Sequence, residues 1–255
     1  MVGITGTNGK STSTVMLEAI FLSANLKAKA CGNLGVPLSE LALLEEKFDY
    51  FLIELSSYQL ETISRIKLDA AIILNITPDH LDRYKTFEAY KDAKLRIIKL
   101  LKPNGLLVLN ERIGEVNFLN KIYLTKDIDP KIKQVILGEH NQENAQACAM
   151  VAHFFGVDQQ QIIHGLKSFK PLPHRCELVG EHKGIRFIND SKATNVNSCS
   201  IGIELMTSYT ESPTEEQNKA LLNLINNIKK RYSIKHVLRH SDIAPVRKTD
   251  PWNFD

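Results

Sequence analysis

Almost at its start the chain reads Val2-Gly3-Ile4-Thr5-Gly6-Thr7-Asn8-Gly9-Lys10-Ser11-Thr12: a short apolar strand, a tight glycine-rich turn and the opening of a helix. That order confines the chain to folds in which a strand feeds a helix through an anion-binding loop. Backbone N–H groups in such a turn, with a helix N-terminus behind them, cradle phosphate. Lys10 adds a mobile positive charge for β- and γ-phosphates, and the Ser11 or Thr12 hydroxyl is placed for Mg²⁺. The full phosphate-loop pattern needs another glycine five residues before Gly9, where Ile4 stands, so the pattern here is the shorter G-x-x-G-K-S. A Gly-Lys-Ser turn can also be only a helix cap. The apolar strand before it and the periodic helix after it favour nucleotide binding.

A chain of 255 residues can bury a full core as one large or two modest domains. Its 43% hydrophobic and 24% charged residues are ordinary for a soluble globular protein. The formal net charge of +3 is too small to imply a nucleic-acid or membrane partner. No basic-then-apolar leader and no bilayer-length apolar run stand out. The four cysteines, Cys31, Cys148, Cys176 and Cys199, form no C-x-x-C pair and read as reduced thiols of a cytoplasmic protein.

Apolar runs alternate with helical patterns through the first two thirds. Strands are expected over 1–5, 49–55, 68–76, 105–110 and 134–138, and helices over 10–25, 86–101, 141–155 and 158–167. Phe51-Leu52-Ile53 and Ala70-Ala71-Ile72-Ile73-Leu74 are continuous apolar runs, as in strands buried on both faces. Thr86 is expected to cap a helix that Lys102-Pro103-Asn104-Gly105 stops. The fold class is therefore α/β, a mostly parallel sheet with helices on both faces. The pattern changes near 195–200. Gly184 to Asn189 reads as a strand before that change and Ile201 to Leu205 as a strand after it. A long amphipathic helix follows to about Tyr232, with Ser212 as cap and Pro213 at its first position.

Polar clusters stand at strand ends, where open α/β sheets bind ligands. Glu54 ends an apolar strand and suits Mg²⁺, or else caps the next helix; His80, in Thr77-Pro78-Asp79-His80, is a second metal ligand or a plain helix-start residue. By pattern alone Lys94 is a solvated helix lysine.

These motifs in order resemble the Mur ligases, the ATP-dependent amide-forming enzymes of peptidoglycan precursor synthesis. The resemblance runs over about 1–197. It rests on the Gly6–Thr12 loop, Gly32-Asn33-Leu34-Gly35, Glu54-Leu55-Ser56-Ser57-Tyr58-Gln59, Asp79-His80-Leu81-Asp82-Arg83-Tyr84, Gly138-Glu139-His140-Asn141 through Asn144, and Pro173-His174-Arg175-Cys176-Glu177. Asn189-Asp190-Ser191-Lys192-Ala193-Thr194-Asn195 looks like the members that add D-glutamate to UDP-N-acetylmuramoyl-L-alanine.

The resemblance implies a phosphate-loop central domain and a set of roles. Gly6, Thr7, Asn8, Gly9, Lys10, Ser11 and Thr12 would hold the triphosphate of ATP. Ser11 and Glu54 would meet one Mg²⁺, and His80 another. Lys94 would become a carbamate and an anionic metal ligand. Asn141 and Asn144 would lie near adenine, Arg175 at the γ-phosphate and Asp190 at the ribose. Asn33 and Ser56 would face the muramoyl substrate, and Lys192 and Thr194 the incoming D-glutamate. The substrate carboxylate would attack the γ-phosphate to give an acyl phosphate, which the amine then resolves. Small-molecule substrates and a monomer are implied.

A second resemblance covers about 198–255, a partial α/β tail similar to the zinc N-acetylmuramoyl-L-alanine amidases of type 2. His240 and Asp250 would be zinc ligands there, with Glu204 and Lys248 assisting. Catalytic zinc needs three protein ligands, and the third, an early-strand histidine, has no counterpart; Val246 also replaces a usual glycine. Working zinc is therefore not expected. The implied domains are 1–197 and 198–255. Against a three-domain family plan, the UDP-gripping domain is expected to be absent and the amino-acid-binding domain replaced after Thr194. Three readings follow: a D-glutamate-adding ligase, an inactive ATP-binding remnant of a rearranged gene, and a zinc amidase.

Overall fold

The computed structural model describes residues 1–136, 138–173, 175, 177–182, 185–189, 204–205 and 214–231. The chain divides into two compact units, Met1–Leu172 and Pro173–Asp255.

The first unit is built on six strands: β1 (Val2–Thr5), β2 (Ala28–Gly32), β3 (Tyr50–Glu54), β4 (Leu68–Ile73), β5 (Leu101–Asn110) and β6 (Lys121–Leu124). They lie in the order β2-β3-β1-β4-β5-β6, and every pairing is parallel. Successive side chains alternate between two cores. Val2, Ile4, Leu52, Ala70, Ile72, Leu106 and Val108 enter one; Ile53, Ala71, Ile73, Leu107 and Leu109 enter the other. With both faces covered, the central strands β1, β3 and β4 are apolar at nearly every position, which is why their sequences do not alternate. The first core is roofed by α1 (Lys10–Ser23), α6 (Pro130–Val135), α7 (Glu139–Phe154) and α8 (Gln159–Ser168). The second is covered by the short α2 (Leu38–Leu41), by α3 (Ser57–Thr62) and by a 3₁₀ turn, Arg96–Leu100, that follows α5 (Phe87–Leu95). A one-turn helix, α4 (Leu81–Tyr84), precedes α5.

The segment expected as a strand at 134–138 is helical through Val135. Asp129 caps α6 by accepting from the Lys131 N–H at 2.7 Å, Pro130 opens it, and the backbone becomes extended only at Ile136. Leu137 lies outside the described residues. Strands β2 and β6 had no clear apolar signal; β2, Ala-Lys-Ala-Cys-Gly, is extended because β3 pairs with it along its whole length. The expected helix over 86–101 breaks into α5 and the 3₁₀ turn, and Thr86 caps α5 by accepting from the Ala89 N–H at 3.2 Å.

In the second unit β7 (Glu177–His182) and β8 (Ile185–Asn189) form an antiparallel hairpin, and β9 (Glu204–Leu205) pairs antiparallel to β8. Helix α9 (Glu215–Arg231) follows. Its cap is Thr214, not Ser212. Thr214 Oγ1 accepts from Gln217 N–H at 3.2 Å, and Gln217 Oε1 accepts from Thr214 N–H at 2.9 Å. Ser212, Pro213 and Tyr232 lie outside the described residues. Among the described residues no helix is long and apolar enough to cross a membrane.

Helices α1 and α8 cross at Gly165, where a Cβ would lie 2.5 Å from Ile20 Cα and 2.8 Å from the Ala19 carbonyl oxygen. Gly165→Ala would gain about 1 kcal/mol of helix propensity. It would force two backbones apart, at a cost of roughly 1–3 kcal/mol or more. The net expectation is a less stable chain, read as a lowered urea midpoint; an unchanged or raised midpoint would contradict this packing.

Candidate functional site

The loop after β1 is shaped by two glycines. A Cβ on Gly6 would lie 3.1 Å from Leu74 Cβ and from the Asn8 carbonyl oxygen, a tight fit just past the end of β4 that glycine relieves. Gly9 has φ +83°, and a Cβ there would meet Asn144 Oδ1 at 2.7 Å. Gly9 caps α1 with no side-chain hydrogen bond, leaving the first-turn N–H groups of α1 to other acceptors. Such a helix end attracts an anion.

Distant residues brace the loop. The Thr7 N–H donates to the Asn75 carbonyl at 2.9 Å. The Asn8 N–H donates to Asn75 Oδ1 at 2.8 Å, and Asn75 Nδ2 donates back to the Asn8 carbonyl at 3.1 Å. Thr7 Oγ1 donates to the Thr77 carbonyl at 3.1 Å and lies 3.2 Å from the Tyr90 hydroxyl. Lys10 folds over its own loop, with Nζ donating to Gly6 and Thr7 carbonyls at 3.0 and 2.8 Å. Ser11 is buried and Thr12 half-buried in the first turn of α1.

Lys94 enters the same place from α5. It is 1% exposed, and its Nζ donates to the Gly6 carbonyl at 2.7 Å and lies 4.8 Å from the Tyr90 ring centroid. Burial first, then the Lys10 charge, pushes its amine down from 10.5 to about 7, against the opposing pull of Asp79 and Glu54. Burial likewise raises the Tyr90 phenol to about 12. The pattern reading of Lys94 as a solvated lysine is therefore wrong.

Glu54, at the end of β3, is 2% exposed. Its Oε1 accepts from Asn33 Nδ2 at 2.9 Å, while its Oε2 is buried without a hydrogen-bond partner. Asn33 reaches Glu54 because Gly32, at φ +100°, lets the end of β2 close on β3; a Cβ there would lie 2.5 Å from the Glu54 carbonyl oxygen. Ser56 caps α3 in a reciprocal capping box with Gln59. His80 caps α4 in a left-handed conformation, φ +52°, with Nδ1 3.0 Å from the Tyr58 hydroxyl. On α7, Asn144 is buried against Gly9, and Asn141, one turn earlier, is half-buried.

The structure thus brings Gly6, Lys10, Lys94 and Asn144 together around the loop and pairs Asn33 with Glu54. Arg175 belongs to the second unit, where it is half-buried. Asp190, Lys192, Thr194, His240 and Asp250 lie outside the described residues. Asn75 and Tyr90 are additions to the site. Their signals were an Asn immediately after a buried apolar strand and a Tyr four residues before Lys94 on one helix. Among the described residues no three His, Cys, Asp or Glu side chains converge as a metal cluster. Cys31 and Cys148 are buried free thiols raised by burial to about 11 and 12, and so inert.

Residues 4–122 match the Mur ligase middle domain family, and 129–253 match the N-acetylmuramoyl-L-alanine amidase family. The second span begins upstream of 198 and takes in α6 to α8 of the first unit. UDP-N-acetylmuramoylalanine–D-glutamate ligase of Anaeromyxobacter dehalogenans is 37% identical over 80% of this chain and 52% of its own length. The protein of that name from Bacteroides thetaiotaomicron is 37% identical over 82% of this chain and 54% of its own length. The chain spans about half the length of these relatives. Among solved structures, MurF ligase from Thermotoga maritima in complex with ADP covers 74% of this chain and 52% of its own, with TM-score 0.59 and 22% identity. A MurF from Acinetobacter baumannii covers 77% and 51%, with TM-score 0.58 and 24% identity. These likenesses establish the α/β fold.

Proposed function

We propose that this chain, which belongs to the Mur ligase family through residues 4–122, binds Mg-ATP on the Gly6–Thr12 loop and activates a carboxylate for amide-bond formation. The substrates are UDP-N-acetylmuramoyl-L-alanine and D-glutamate, in keeping with the names of the 37% identical relatives. The observation that carries this reading is the convergence of two lysines on the Gly6 carbonyl, Lys10 at 3.0 Å and the buried Lys94 at 2.7 Å. A fold gains nothing by burying an amine beside another cation; the pair makes sense where Lys10 serves the phosphates and Lys94, held near neutrality by that burial, is used by the site in another form.

The orphaned Oε2 of Glu54 fits a hard cation, which accepts carboxylate oxygens in place of water. Ser11, Glu54, His80 and a carbamylated Lys94 would hold Mg²⁺. When bound, Mg²⁺ supplies positive charge against the phosphates and the developing acyl phosphate. The loop N–H groups and Lys10 bind the β- and γ-phosphates. By the family likeness Asn141 and Asn144 would serve adenine, Arg175 the γ-phosphate and Asp190 the ribose, while Asn33 and Ser56 would serve the muramoyl substrate and Lys192 and Thr194 the amino acid. A substrate carboxylate oxygen attacks the γ-phosphorus and ADP leaves. The amine nitrogen of D-glutamate then attacks the acyl carbon, loses a proton, and phosphate leaves. We assign this chemistry to 1–197 of a cytoplasmic, monomeric protein; the amidase family match, 129–253, overlaps that span instead of beginning at 198. A zinc-amidase reading is supported by the family match over 129–253, and the resemblance names His240 and Asp250 as its zinc ligands, where catalytic zinc needs three.

The test is incubation of the full chain with UDP-N-acetylmuramoyl-L-alanine, ATP, Mg²⁺ and D-glutamate, following ADP and the D-glutamyl product. Stoichiometric formation of both is expected. ATP binding without product would reduce the chain to a nucleotide-binding module, and no ATP binding would overturn the reading.

A further inference from the structure

His80 is the least secured of the proposed metal-binding side chains. Its side chain is 45% exposed, on a four-residue helix, so burial does little to orient the ring. Its backbone is set by the left-handed cap of α4, whose carbonyl accepts from the Arg83 and Tyr84 N–H groups at 3.1 Å each. The ring is held by Tyr58, whose hydroxyl lies 3.0 Å from Nδ1 with ring centroids 5.2 Å apart.

Tyr58 is itself clamped from two elements. It stands in the first turn of α3, behind the Ser56–Gln59 capping box. The Arg83 guanidinium lies over its ring at 4.5 Å and is tied to Glu61, also on α3, at 2.7 Å. Tyr84 stacks on it at 6.0 Å and 22°. An exposed tyrosine (40%) held this firmly, with its one polar atom on an imidazole nitrogen, is arranged for that nitrogen.

We propose that Tyr58 is a positioning residue for His80: its phenol oxygen accepts the Nδ1 proton, which leaves the Nε2 lone pair for a divalent cation. The partner of one ring nitrogen decides the state of the other. Asp79 Oδ2 lies 3.9 Å from Nε2, too far to accept a hydrogen bond and hold a proton on that nitrogen. Its negative charge favours a cation beside it instead. This inference rests on the placing of His80 among the metal-binding residues above.

The experiment uses the full chain with Mn²⁺ as probe and β,γ-methylene-ATP as non-reacting nucleotide, counting bound Mn²⁺ by electron paramagnetic resonance. Tyr58→Phe keeps the ring, its stacking and the Arg83 contact and removes only the oxygen. Two Mn²⁺ are expected in the parent. In Tyr58→Phe the weaker one is expected to lose about tenfold in affinity, with the tighter one and the nucleotide unchanged. The ¹⁵N shifts of the metal-free His80 ring are expected to show a proton on Nδ1 in the parent and a mixture of tautomers in the variant. If His80→Ala loses the weaker Mn²⁺ while Tyr58→Phe changes neither it nor the ¹⁵N pattern, the positioning role is overturned and the metal role of His80 stands. If His80→Ala also leaves both Mn²⁺ in place, the metal assignment fails and the inference with it.

Discussion

Lys10→Ala is expected to weaken Mg-ATP binding by about 2–3 kcal/mol, roughly 30- to 150-fold in Kd, the worth of a charge-assisted contact to phosphate. Lys10 Nζ bonds the Gly6 and Thr7 carbonyls at 3.0 and 2.8 Å. Those are neutral acceptors on the loop that would receive the phosphates, so Lys10 stays at the site and has only to exchange carbonyls for a stronger acceptor. The substitution should not harm the fold. A positive charge in the first turn of α1 opposes the helix dipole, and alanine there is a good helix former. Calorimetric titration of Mg-ATP, with a urea denaturation of each chain alongside, separates the two effects. An affinity unchanged in Lys10→Ala would take the phosphate role away from this residue.

The loop was legible because its chemistry is local: Gly6, Gly9 and Lys10 are neighbours in sequence, and the strand before them is a buried β1. What braces it was not. Asn75 meets Asn8 across 67 positions, and Tyr90 meets Thr7 across 83. No periodicity carries such pairings; only the order β3-β1-β4 brings the ends of those strands together. The strand expected at 134–138 failed for a different reason. Val135 and Ile136 are β-branched, but the Asp129-Pro130 start signal opens a helix that runs through Val135, and the capping outweighs the propensity until Ile136, which is extended. Strand β2 failed in the opposite sense, since Ala28-Lys29-Ala30-Cys31-Gly32 has no strand former and is extended by its pairing with β3. The α9 cap was present as Thr214-x-x-Gln217 but was passed over for the Ser-Pro pair two residues earlier. Lys94 was visible only through a family likeness, because on its helix it is one charge among several. Its burial comes from Tyr90 and from the Gly6 carbonyl, both invisible in the local pattern.

That burial leads to the second large effect. Lys94→Met is expected to abolish product formation, by about 100-fold or more, while making the chain more stable at pH 6. A lysine of ordinary pKa 10.5 is neutral in roughly one molecule in three thousand at pH 7, whereas an amine at about 7 is neutral in half of them. Only the neutral amine can add CO₂ to become a carbamate, so the depressed value is the condition that the proposed modification of Lys94 requires. The same depression governs stability. Below about pH 7 the amine is charged both in the fold and in the unfolded chain, and the full cost of burying it is present. Between about 7 and 10.5 the unfolded chain holds a proton that the fold has released. Stability from this group therefore rises with pH, with a slope approaching about 1.4 kcal/mol per unit. Methionine fills a similar volume without a charge, so the variant should lose that slope. Denaturation in urea with chelator at pH 6, 7.5 and 9 reads it directly. The activity loss is tested separately with Lys94→Ala, whose smaller side chain leaves room for a small carboxylate such as acetate to act where the carbamate would. Partial rescue by acetate in Lys94→Ala, and none in Lys94→Met, places the function in the negative charge. Equal product formation by the parent and Lys94→Met would mean that Lys94 is buried for reasons unrelated to the reaction.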